Sequence, residues 1–252
     1  MPDRPSGYLS PGALEALRRV STATLTSELW KRGLRNTFLA GVTPVRPDLR
    51  LVGYAFTLRY IPMREDLDVM VPHDNLTNIQ RLAIEAVGPG DVLVIDARNE
   101  VGAATLGNIL ATRVRARGAA GIVSDGAFRD WPAFRDIDLP TYARAAHATA
   151  SVARHHPADM NVPIGCAGVA VMPGDVVVGD AEGVVVIPRA YAEEVAHEAL
   201  EHELLEEFIL ERVQGGASIV GTYPPDEATL AEYRARGEGR GDRGPRSEGA
   251  EG

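Results

Sequence analysis

Two short polar pairs in the middle of the sequence could form a binding site for an organic anion. Gly107-Asn108 precedes the apolar residues of a predicted helix, and Arg129-Asp130 follows after twenty intervening residues. The first N–H groups of a helix have no partner within it, so a helix start binds carboxylates and phosphates, and glycine allows a ligand close to the backbone. Arg129 could bind a carboxylate with its planar guanidinium, and Asp130 offers a hard oxygen ligand for a divalent cation.

Each pair also has a structural interpretation without a ligand. Asn108 could cap the helix, and Arg129 and Asp130 could form an ion pair on a surface turn. The sequence before the second pair favours a binding site, because the apolar stretch GIVS predicts a buried strand that ends at Asp125-Gly126. Ligands of α/β proteins bind beyond the carboxyl ends of such strands.

The elements that would position these residues alternate between helices and short buried strands. Helices are predicted from Ser10-Pro11 through ALEALRRV, over TATLTSELWKRG, over NLTNIQRLAIEAV, from Ala104 to Gly118 and from Ala190 to Val213. Strands are predicted over residues 51–60 and in GDVLVID, GIVS, GDVVVGD and VVVIP. This order predicts an α/β fold with a parallel or mixed central sheet.

The chain divides into four segments by composition. We predict an N-terminal arm and helix over residues 1–20, an α/β domain over 21–213, a C-terminal extension over 214–236, and a disordered tail over 237–252. The sequence past Tyr233, RARGEGRGDRGPRSEGAEG, lacks the apolar residues that a packed core requires.

The composition of the 252 residues excludes several classes of protein. A net charge of −9 argues against a nucleic-acid partner, and no apolar run approaches the roughly 18 residues that span a bilayer. The single cysteine, Cys166, excludes an internal disulfide, and we predict that it is a small core residue. The N-terminal residues show no signal-peptide pattern, so we expect a cytoplasmic protein.

Lys31 is the one lysine among the 26 basic residues. It is therefore the one side chain that could form a Schiff base with a carbonyl substrate. Its position near the end of a predicted helix, where a cation is favoured, indicates a structural role instead. An enzyme that stabilises an enolate without a Schiff base requires another electron sink, and a divalent metal ion can provide one.

The two pairs and the strands around them resemble the signature of a known family. Class II pyruvate aldolases that act on 4-hydroxy-4-methyl-2-oxoglutarate and 4-carboxy-4-hydroxy-2-oxoadipate have Gly-Asp at a helix start, twenty residues, and then Arg-Asp. They belong to the RraA-like superfamily, which also contains the regulator of ribonuclease activity A. The likeness covers roughly residues 20–210 and includes GDVLVID, PGDVVVGD and GVVVIP. It implies a single α/β domain of the β/β/α swivelling type with a C-terminal helical extension.

The resemblance also implies roles for particular residues in binding a 2-oxo acid substrate. Arg129 would bind the carboxylate and the keto oxygen of the pyruvyl group. Main-chain amides at Gly107, Asn108, Ile109 and Leu110 would hold the same carboxylate at the start of the helix.

A metal site is implied as well. Asp130 would ligate Mg²⁺ or Mn²⁺. A glutamate from the C-terminal helix of a neighbouring subunit would complete the site through water, in a homotrimer or homohexamer. Glu203, Glu206 and Glu207 are the candidates, and we favour Glu206.

One departure from the family pattern concerns the reaction itself. Asn108 stands where the aldolases have an aspartate that orders metal-bound water for proton transfer, and an amide cannot accept that proton. Decarboxylation of oxaloacetate needs less assistance from a base, because loss of CO₂ forms the enolate directly. The resemblance therefore predicts a metal-dependent lyase that releases pyruvate by aldol cleavage, by oxaloacetate decarboxylation, or by both.

Two alternatives remain open from the sequence. The protein could be another metal-dependent lyase or hydrolase of sugar-acid-derived 2-oxo acids, or a non-catalytic regulator of RNA degradation that binds a protein partner. The regulator interpretation predicts loss of the metal ligand, whereas Asp130 is present. The segment EEFILERV and the later YPPDEATLAEY also extend beyond the length of the regulators.

A few other polar residues are candidates with weaker arguments. His73-Asp74-Asn75 precedes a predicted helix and could reach a pocket or cap that helix, and Arg59 could bind a distal carboxylate. We expect Asp125 to support the loop of Arg129, and we expect His155-His156 to lie on the surface.

Overall fold

The structure, a computed structural model, describes residues 9–68 and 75–241, with side chains through residue 236. The chain separates into two compact units, Met1–Ala199 and Leu200–Gly252. The first unit contains the sheets and both predicted polar pairs, and the second is helical. His73 and Asp74 lie outside the described residues, so their predicted role is not addressed by the structure.

Helices and strands alternate along most of the described chain, largely as predicted. The helices are α1 (Pro11–Arg19), α2 (Thr22–Lys31), α3 (Ile79–Ala86), α4 (Asn108–Ala116), α5 (Trp131–Phe134), α6 (Ala192–Gln214) and α7 (Glu227–Gly241), with short 3₁₀ helices at Ser151–Ala153 and Arg189–Tyr191. The strands are β1 (Thr43–Pro44), β2 (Leu51–Pro62), β3 (Asp91–Asp96), β4 (Ala104–Leu106), β5 (Gly121–Ser124), β6 (Ala127–Phe128), β7 (Thr141–Ala143), β8 (Ala145–Ala146), β9 (His155–Met160), β10 (Ile164–Cys166), β11 (Val169–Val171), β12 (Val176–Gly179) and β13 (Val184–Ile187).

Eight strands form the main sheet, which is mixed, one of the two forms predicted. The order is β1-β7-β5-β3-β2-β12-β13, with β9 also paired to β2. The four strands β2, β3, β5 and β7 are parallel, and the remaining pairings are antiparallel. β2 is long enough to pair with β12 through its first residues, with β3 through its middle and with β9 through its end.

Apolar side chains cover both faces of this sheet. In β3, Leu93 and Ile95 belong to one buried cluster, and Val92 and Val94 belong to another. Successive side chains of a strand point to opposite faces, so an uninterrupted apolar run is what a strand buried on both sides requires. The prediction of a doubly covered strand in GDVLVID is therefore confirmed.

A second, three-stranded sheet carries the two polar pairs. Its order is β4-β6-β8, and all three strands are parallel. The predicted helix from Ala104 to Gly118 is wrong at its start, because residues 104–106 form β4 and α4 begins only at Asn108. The three residues of β4 are buried and β4 pairs with β6, so tertiary pairing outweighs the helix propensity of Ala104.

The second unit holds the part of α6 from Leu200 onward and the whole of α7. The tilted rings of Phe208 and Tyr233, with centroids 5.5 Å apart, and an ion pair between Arg212 and Glu232 connect α6 to α7 within this unit. α7 continues past Tyr233 to Gly241, which corrects the prediction of disorder up to that residue. The segment combines Ala, Arg and Glu with Gly237, Gly239 and Gly241, and glycine is a poor helix former, so local propensity does not explain its helical state. Among the described residues, no helix has both the length and the apolar composition needed to cross a bilayer.

Candidate functional site

The two polar pairs predicted from the sequence lie side by side. β4 and β6 are parallel neighbours whose last residues are partners in the sheet, so the residues that follow them leave the sheet at the same edge. The main-chain N–H of Asn108 donates a hydrogen bond to Oδ2 of Asp130 at 3.3 Å. The same oxygen is 3.5 Å from Nε of Arg129. The carboxylate therefore sits between the helix start and the guanidinium.

Gly107 makes this close approach possible. A Cβ atom at position 107 would lie 2.6 Å from Oδ2 of Asp130 and 2.8 Å from Cγ of Arg129, too close for either contact. Its φ of −123° is open to any residue, so the requirement for glycine comes from space and not from backbone conformation. Gly107 is the N-cap of α4 and Asn108 is its first residue, so the capping interpretation of Asn108 is wrong.

Asp130 adopts the left-handed conformation, with φ 60° and ψ 35°. Asp and Asn are the residues other than glycine that visit this region most readily. The conformation turns the chain between β6 and α5 and directs the Asp130 carboxylate toward the start of α4. Such strained positions accumulate at functional sites, and this one falls on a predicted metal ligand.

These residues line a cleft of about 290 Å³. This volume lies near the lower end of the range for small-molecule pockets, roughly 300 Å³, and suits a small organic acid. The lining comes from the start of α3, from β4 and α4, from the turn after β6 and from the 3₁₀ helix before β9. The predicted residues in the lining are Gly107, Asn108, Ile109, Leu110, Arg129 and Asp130; those not predicted are Gln80, Arg81, Ala104, Thr105, Leu106, Ala150, Ser151 and Val152.

Two main-chain N–H groups at the start of α4 remain free to bind a ligand. The N–H of Asn108 is taken by Asp130, and that of Ala111 donates to the carbonyl of Gly107. In the described part of the chain, no protein acceptor bonds the N–H groups of Ile109 and Leu110. Together with the positive end of the helix dipole, they provide a site for one carboxylate.

The charge of the cleft favours an anion. Arg81 and Arg129 both line it, and among the described residues Asp130 is the single carboxylate in the lining. Arg81 was not predicted from the sequence, because it lies within an ordinary amphipathic helix pattern and no local signal directs it to the cleft. The sequence also gives no local signal for Gln80, on the same helix, or for Thr105, in β4.

The donor set fits a hard divalent cation that retains several water ligands. Among the described residues, no group of three or more His, Cys, Asp or Glu side chains could hold a metal ion. Asp130 could provide one carboxylate ligand, and Asn108 lines the same cleft. Mg²⁺ is commonly held by one or two carboxylates together with water and substrate oxygens, whereas Zn²⁺ sites use several nitrogen or sulfur ligands.

The predicted glutamates lie on α6, in the second unit. Glu206 is 3.4 Å from Nε2 of His202, one helical turn earlier. A contribution of Glu203, Glu206 or Glu207 to the site of a neighbouring subunit concerns an assembly of several chains, so this assignment stays a prediction.

A larger cleft, of about 640 Å³, lies along α2 and contains none of the predicted site residues. Lys31 is part of its lining, and its Nζ is 2.6 Å from Oε1 of Glu28. This ion pair within α2 agrees with the structural role predicted for Lys31. The residues predicted to bind substrate and metal are gathered in the smaller cleft, which is therefore the candidate site.

Asp125 has a different structural role from the one predicted. Its buried carboxylate accepts hydrogen bonds from the main-chain N–H groups of Ala97 at 2.6 Å, Asn99 at 3.1 Å and Ala167 at 3.0 Å. It therefore joins the turn after β3 to the β10–β11 hairpin and does not support the loop of Arg129. Burial raises the pKa of this carboxyl group.

Arg59 lies outside the cleft, and Cys166 lies in the core. Arg59 is 4.0 Å from Asp159 on the neighbouring strand and is not part of the cleft lining, so its predicted role in substrate binding has no support. Cys166 is fully buried, as expected of a small core residue.

His155 is buried, which corrects its predicted surface position. Its Nε2 donates to the carbonyl of Ala103 at 3.1 Å, and its Nδ1 accepts from Nη2 of Arg98 at 3.3 Å. A carbonyl only accepts and a guanidinium only donates, so these partners require the neutral tautomer protonated on Nε2. Burial, with a further contribution from Arg98, lowers the pKa of His155; the main-chain bond to Ala103 and the charge of Glu100 oppose this shift.

We expect the free energy of unfolding to fall as the pH drops below about 6.5, because the unfolded chain then binds a proton at His155 that the folded chain does not. The free energy of unfolding should decrease by up to about 1.4 kcal/mol per pH unit. Above this pH both forms of the histidine are neutral and the effect disappears. Urea unfolding at pH 7.5 and 5.5 measures it. His155→Gln should reduce the pH dependence and His156→Gln should retain it; equal slopes for wild type and His155→Gln would contradict the assignment.

An α/β unit whose cleft combines a helix start, two arginines and one carboxylate defines a class of protein suited to small organic acids. Residues 22–186 match the RraA-like family, described as Aldolase/RraA. The match spans more than half of the chain, and the protein belongs to this family. The predicted resemblance is thereby confirmed.

Relatives and solved structures agree with this assignment. A relative from Halalkalibacterium halodurans named "Putative 4-hydroxy-4-methyl-2-oxoglutarate aldolase" is 34% identical over 182 residues, which are 72% of this chain and 79% of the relative. Streptomyces coelicolor RraAS2, titled an unusual member of the RNase ES inhibitor RraA protein family, superposes with a TM-score of 0.71 at 34% identity, covering 81% of this chain and 98% of that one. A Pseudomonas syringae protein superposes with a TM-score of 0.74 at 26% identity, covering 86% and 99%. The predicted fold class is confirmed, and the family includes proteins named for aldolase activity and for RNase inhibition.

Proposed function

We propose that the protein is a lyase that cleaves a 2-oxo acid with the help of Mg²⁺ or Mn²⁺ and releases pyruvate. The observation that carries the proposal is the convergence of Arg129, Asp130 and the free N–H groups of α4 on one cleft of small-molecule size. These groups match the parts of a 2-oxo acid: a carboxylate, a polarisable keto oxygen and a place for a cation between them. The relatives named as aldolases support the same reaction class.

In this proposal the pyruvyl carboxylate binds at the start of α4. The N–H groups of Ile109 and Leu110 donate hydrogen bonds to it, and the guanidinium of Arg129 donates to the carboxylate and to the 2-keto oxygen. A divalent cation held by Asp130 would supply Lewis-acid polarisation of the keto group. Arg129 then stabilises the negative charge that develops on the keto oxygen during bond cleavage.

The same bond, between C3 and C4 of the substrate, breaks in either candidate reaction. In aldol cleavage the C4 hydroxyl loses its proton, C4 becomes a carbonyl carbon, and the electron pair of the broken bond forms the enolate of pyruvate. In oxaloacetate decarboxylation C4 leaves as CO₂ and the electron pair forms the same enolate. C3 then takes a proton from solvent and pyruvate dissociates.

Asn108 favours decarboxylation over aldol cleavage. Its amide can orient a water molecule in the cleft but cannot take the proton of the C4 hydroxyl. Decarboxylation requires no such acceptor. We therefore propose that oxaloacetate is turned over faster than 4-hydroxy-4-methyl-2-oxoglutarate.

The test measures pyruvate release from each of these two substrates, coupled to NADH oxidation by lactate dehydrogenase. Parallel reactions contain Mg²⁺, Mn²⁺ or EDTA. Release that depends on the divalent cation supports the proposal. Absence of release from both substrates in the presence of either cation would contradict it.

We expect Asn108→Asp to raise aldol cleavage of 4-hydroxy-4-methyl-2-oxoglutarate by about tenfold to a hundredfold, because a carboxylate can accept the hydroxyl proton directly or through water. Oxaloacetate decarboxylation should change much less. The ratio of the two kcat/KM values is the measurement. The control is Asn36→Asp, which adds the same charge outside the cleft lining and should leave the ratio of the two kcat/KM values unchanged. If Asn108→Asp also leaves this ratio unchanged, position 108 does not limit proton transfer.

A regulatory function is the second candidate, and its support is the 34% identity to RraAS2 of the RNase inhibitor family. A regulator would bind a ribonuclease-containing partner and would need neither Arg129 nor Asp130. Binding to an RNase E-type enzyme, measured with wild type and with an Arg129→Met, Asp130→Asn double variant, separates the candidates. Equal binding by both, together with no pyruvate release, would favour regulation.

We also propose a homotrimer or homohexamer in which Glu206 of a neighbouring subunit contributes to the metal site through water. This rests on the family resemblance. Light scattering gives the subunit number, and titration of Mn²⁺ into wild type and Glu206→Gln tests the contribution of the glutamate. The cytoplasmic location and the absence of a nucleic-acid partner stay predictions from composition.

A further inference from the structure

The wall of the candidate site contains a cation that the proposed chemistry does not use. Arg81, at the start of α3, lines the same cleft as Arg129. We propose that Arg81 binds the distal carboxylate of the substrate, so that the cleft selects 2-oxo dicarboxylates over 2-oxo monocarboxylates of the same length. This inference rests on the proposed binding of a 2-oxo acid at the site.

The start of α3 is held firmly against β4. Oδ1 of Asn78 caps the helix by accepting the main-chain N–H of Arg81 at 3.2 Å. The buried side chain of Gln80 donates through Nε2 to the carbonyl of Thr105 at 2.5 Å, and the hydroxyl of buried Tyr60 donates to the same carbonyl at 3.2 Å. Arg81 therefore projects from backbone whose position relative to the cleft is set by buried hydrogen bonds, which reduces the cost of ordering it around a ligand.

Within the described part of the chain, no carboxylate pairs with the guanidinium of Arg81. Other arginines on the same two helices are engaged: Arg113 of α4 forms a bidentate pair with Glu85 of α3, at 2.9 and 2.7 Å. Arg81 is also half-buried, so part of its hydration is lost without a protein anion to compensate. A carboxylate delivered by a ligand would meet this need.

The size of the cleft and the position of its two arginines on different elements agree with a dicarboxylate. One carboxylate is accounted for by Arg129 and the start of α4, on the wall formed by β4, α4 and the turn after β6. Arg81 comes from a different element, α3, and a cleft of about 290 Å³ has room for a compact acid that contacts both. A monocarboxylate would leave Arg81 without an anion.

Calorimetric binding of two non-cleavable acids tests the inference. 2-Oxoglutarate and 2-oxopentanoate have the same chain length and the same 2-oxo acid group, and differ in having a carboxylate or a methyl group at C5. They are titrated, with Mg²⁺ present, into wild type, Arg81→Met, Arg81→Gln and Arg113→Met. The last variant removes the same charge from a residue outside the cleft lining.

We expect wild type and Arg113→Met to bind 2-oxoglutarate more tightly than 2-oxopentanoate by on the order of tenfold to a hundredfold. Both Arg81 variants should lose this preference and keep the wild-type affinity for 2-oxopentanoate. Thermal unfolding confirms that each variant is folded.

The contrary outcomes separate the two proposals. If wild type binds both acids with equal affinity, or if the Arg81 variants keep the preference, the role of Arg81 is wrong and 2-oxo acid binding stands. If wild type binds neither acid while Mg²⁺ is present, the proposed function of the site fails and the inference fails with it.

Discussion

Replacing Asp130 with asparagine is expected to lower metal-dependent pyruvate release by about a thousandfold or more, because the carboxylate proposed to hold the cation in the cleft is lost. Asparagine is the appropriate replacement. It tolerates the left-handed φ of 60° at this position, and its amide oxygen can still accept the hydrogen bond from the N–H of Asn108. The substitution therefore removes the charge with little change to the loop.

The effect of EDTA provides an independent test of the same role. Wild type treated with EDTA should fall to the rate of Asp130→Asn, and EDTA should then have little further effect on the variant, because both changes remove one interaction. Asp138→Asn is the matched control, since Asp138 pairs with Arg115 on the surface. Metal-dependent activity retained by Asp130→Asn, or a fully additive effect of EDTA, would rule out Asp130 as the metal ligand.

Replacing Arg129 with methionine is expected to lower kcat/KM by about a hundredfold to a thousandfold, because Arg129 is proposed to bind the carboxylate and to stabilise the charge on the keto oxygen. Methionine keeps much of the apolar length of the side chain. Arg129→Lys should recover part of the loss, since lysine retains the charge and lacks the planar fork. Pyruvate-release kinetics measure kcat and KM for each variant.

Inhibition by oxalate distinguishes a binding role from a structural one. Oxalate resembles the enolate of pyruvate, so its inhibition constant should rise in Arg129→Met along with the loss of kcat/KM. Arg115→Met removes an arginine from the surface of α4 and should leave both quantities near wild type. A loss of activity in Arg129→Met with unchanged oxalate inhibition would place Arg129 outside the substrate site.

Local patterns explain which parts of the fold were predicted correctly. Ser10 caps α1 by accepting the N–H of Ala13, and Pro11 opens the helix, as expected from side chains that act within a few residues. The apolar run of β3 is buried on both faces, as its composition predicted. In contrast, the sequence pattern predicts a helix at Ala104, and this residue forms a strand. A short apolar segment fits either state, and only the pairing with β6 distinguishes them.

The candidate site, like the fold, has parts that the sequence predicts and parts that it does not. The residue types and the twenty-residue spacing of Gly107-Asn108 and Arg129-Asp130 are enough to indicate an anion-binding and metal-binding pair. The strand thought to deliver Arg129 was GIVS in the main sheet, whereas the chain turns at Asp125-Gly126 and enters a second sheet through β6. The two pairs lie side by side because of the register in which β4 and β6 pair, and no local sequence pattern predicts that register.

The sequence by itself determined the family, through its resemblance to a known signature. It also determined the α/β class and the residues of the predicted anion site, because these depend on side-chain chemistry, hydrophobic period and helix caps, all of which act over short distances along the chain. Only the tertiary structure decided that Asp130 adopts a left-handed conformation facing α4, that His155 is buried against Ala103, and that Arg81 shares the cleft with Arg129. Each of these facts depends on segments far apart in the chain that are brought together by packing and strand register. Contacts of that kind arise from the folded core as a whole and leave no periodic signal in the sequence.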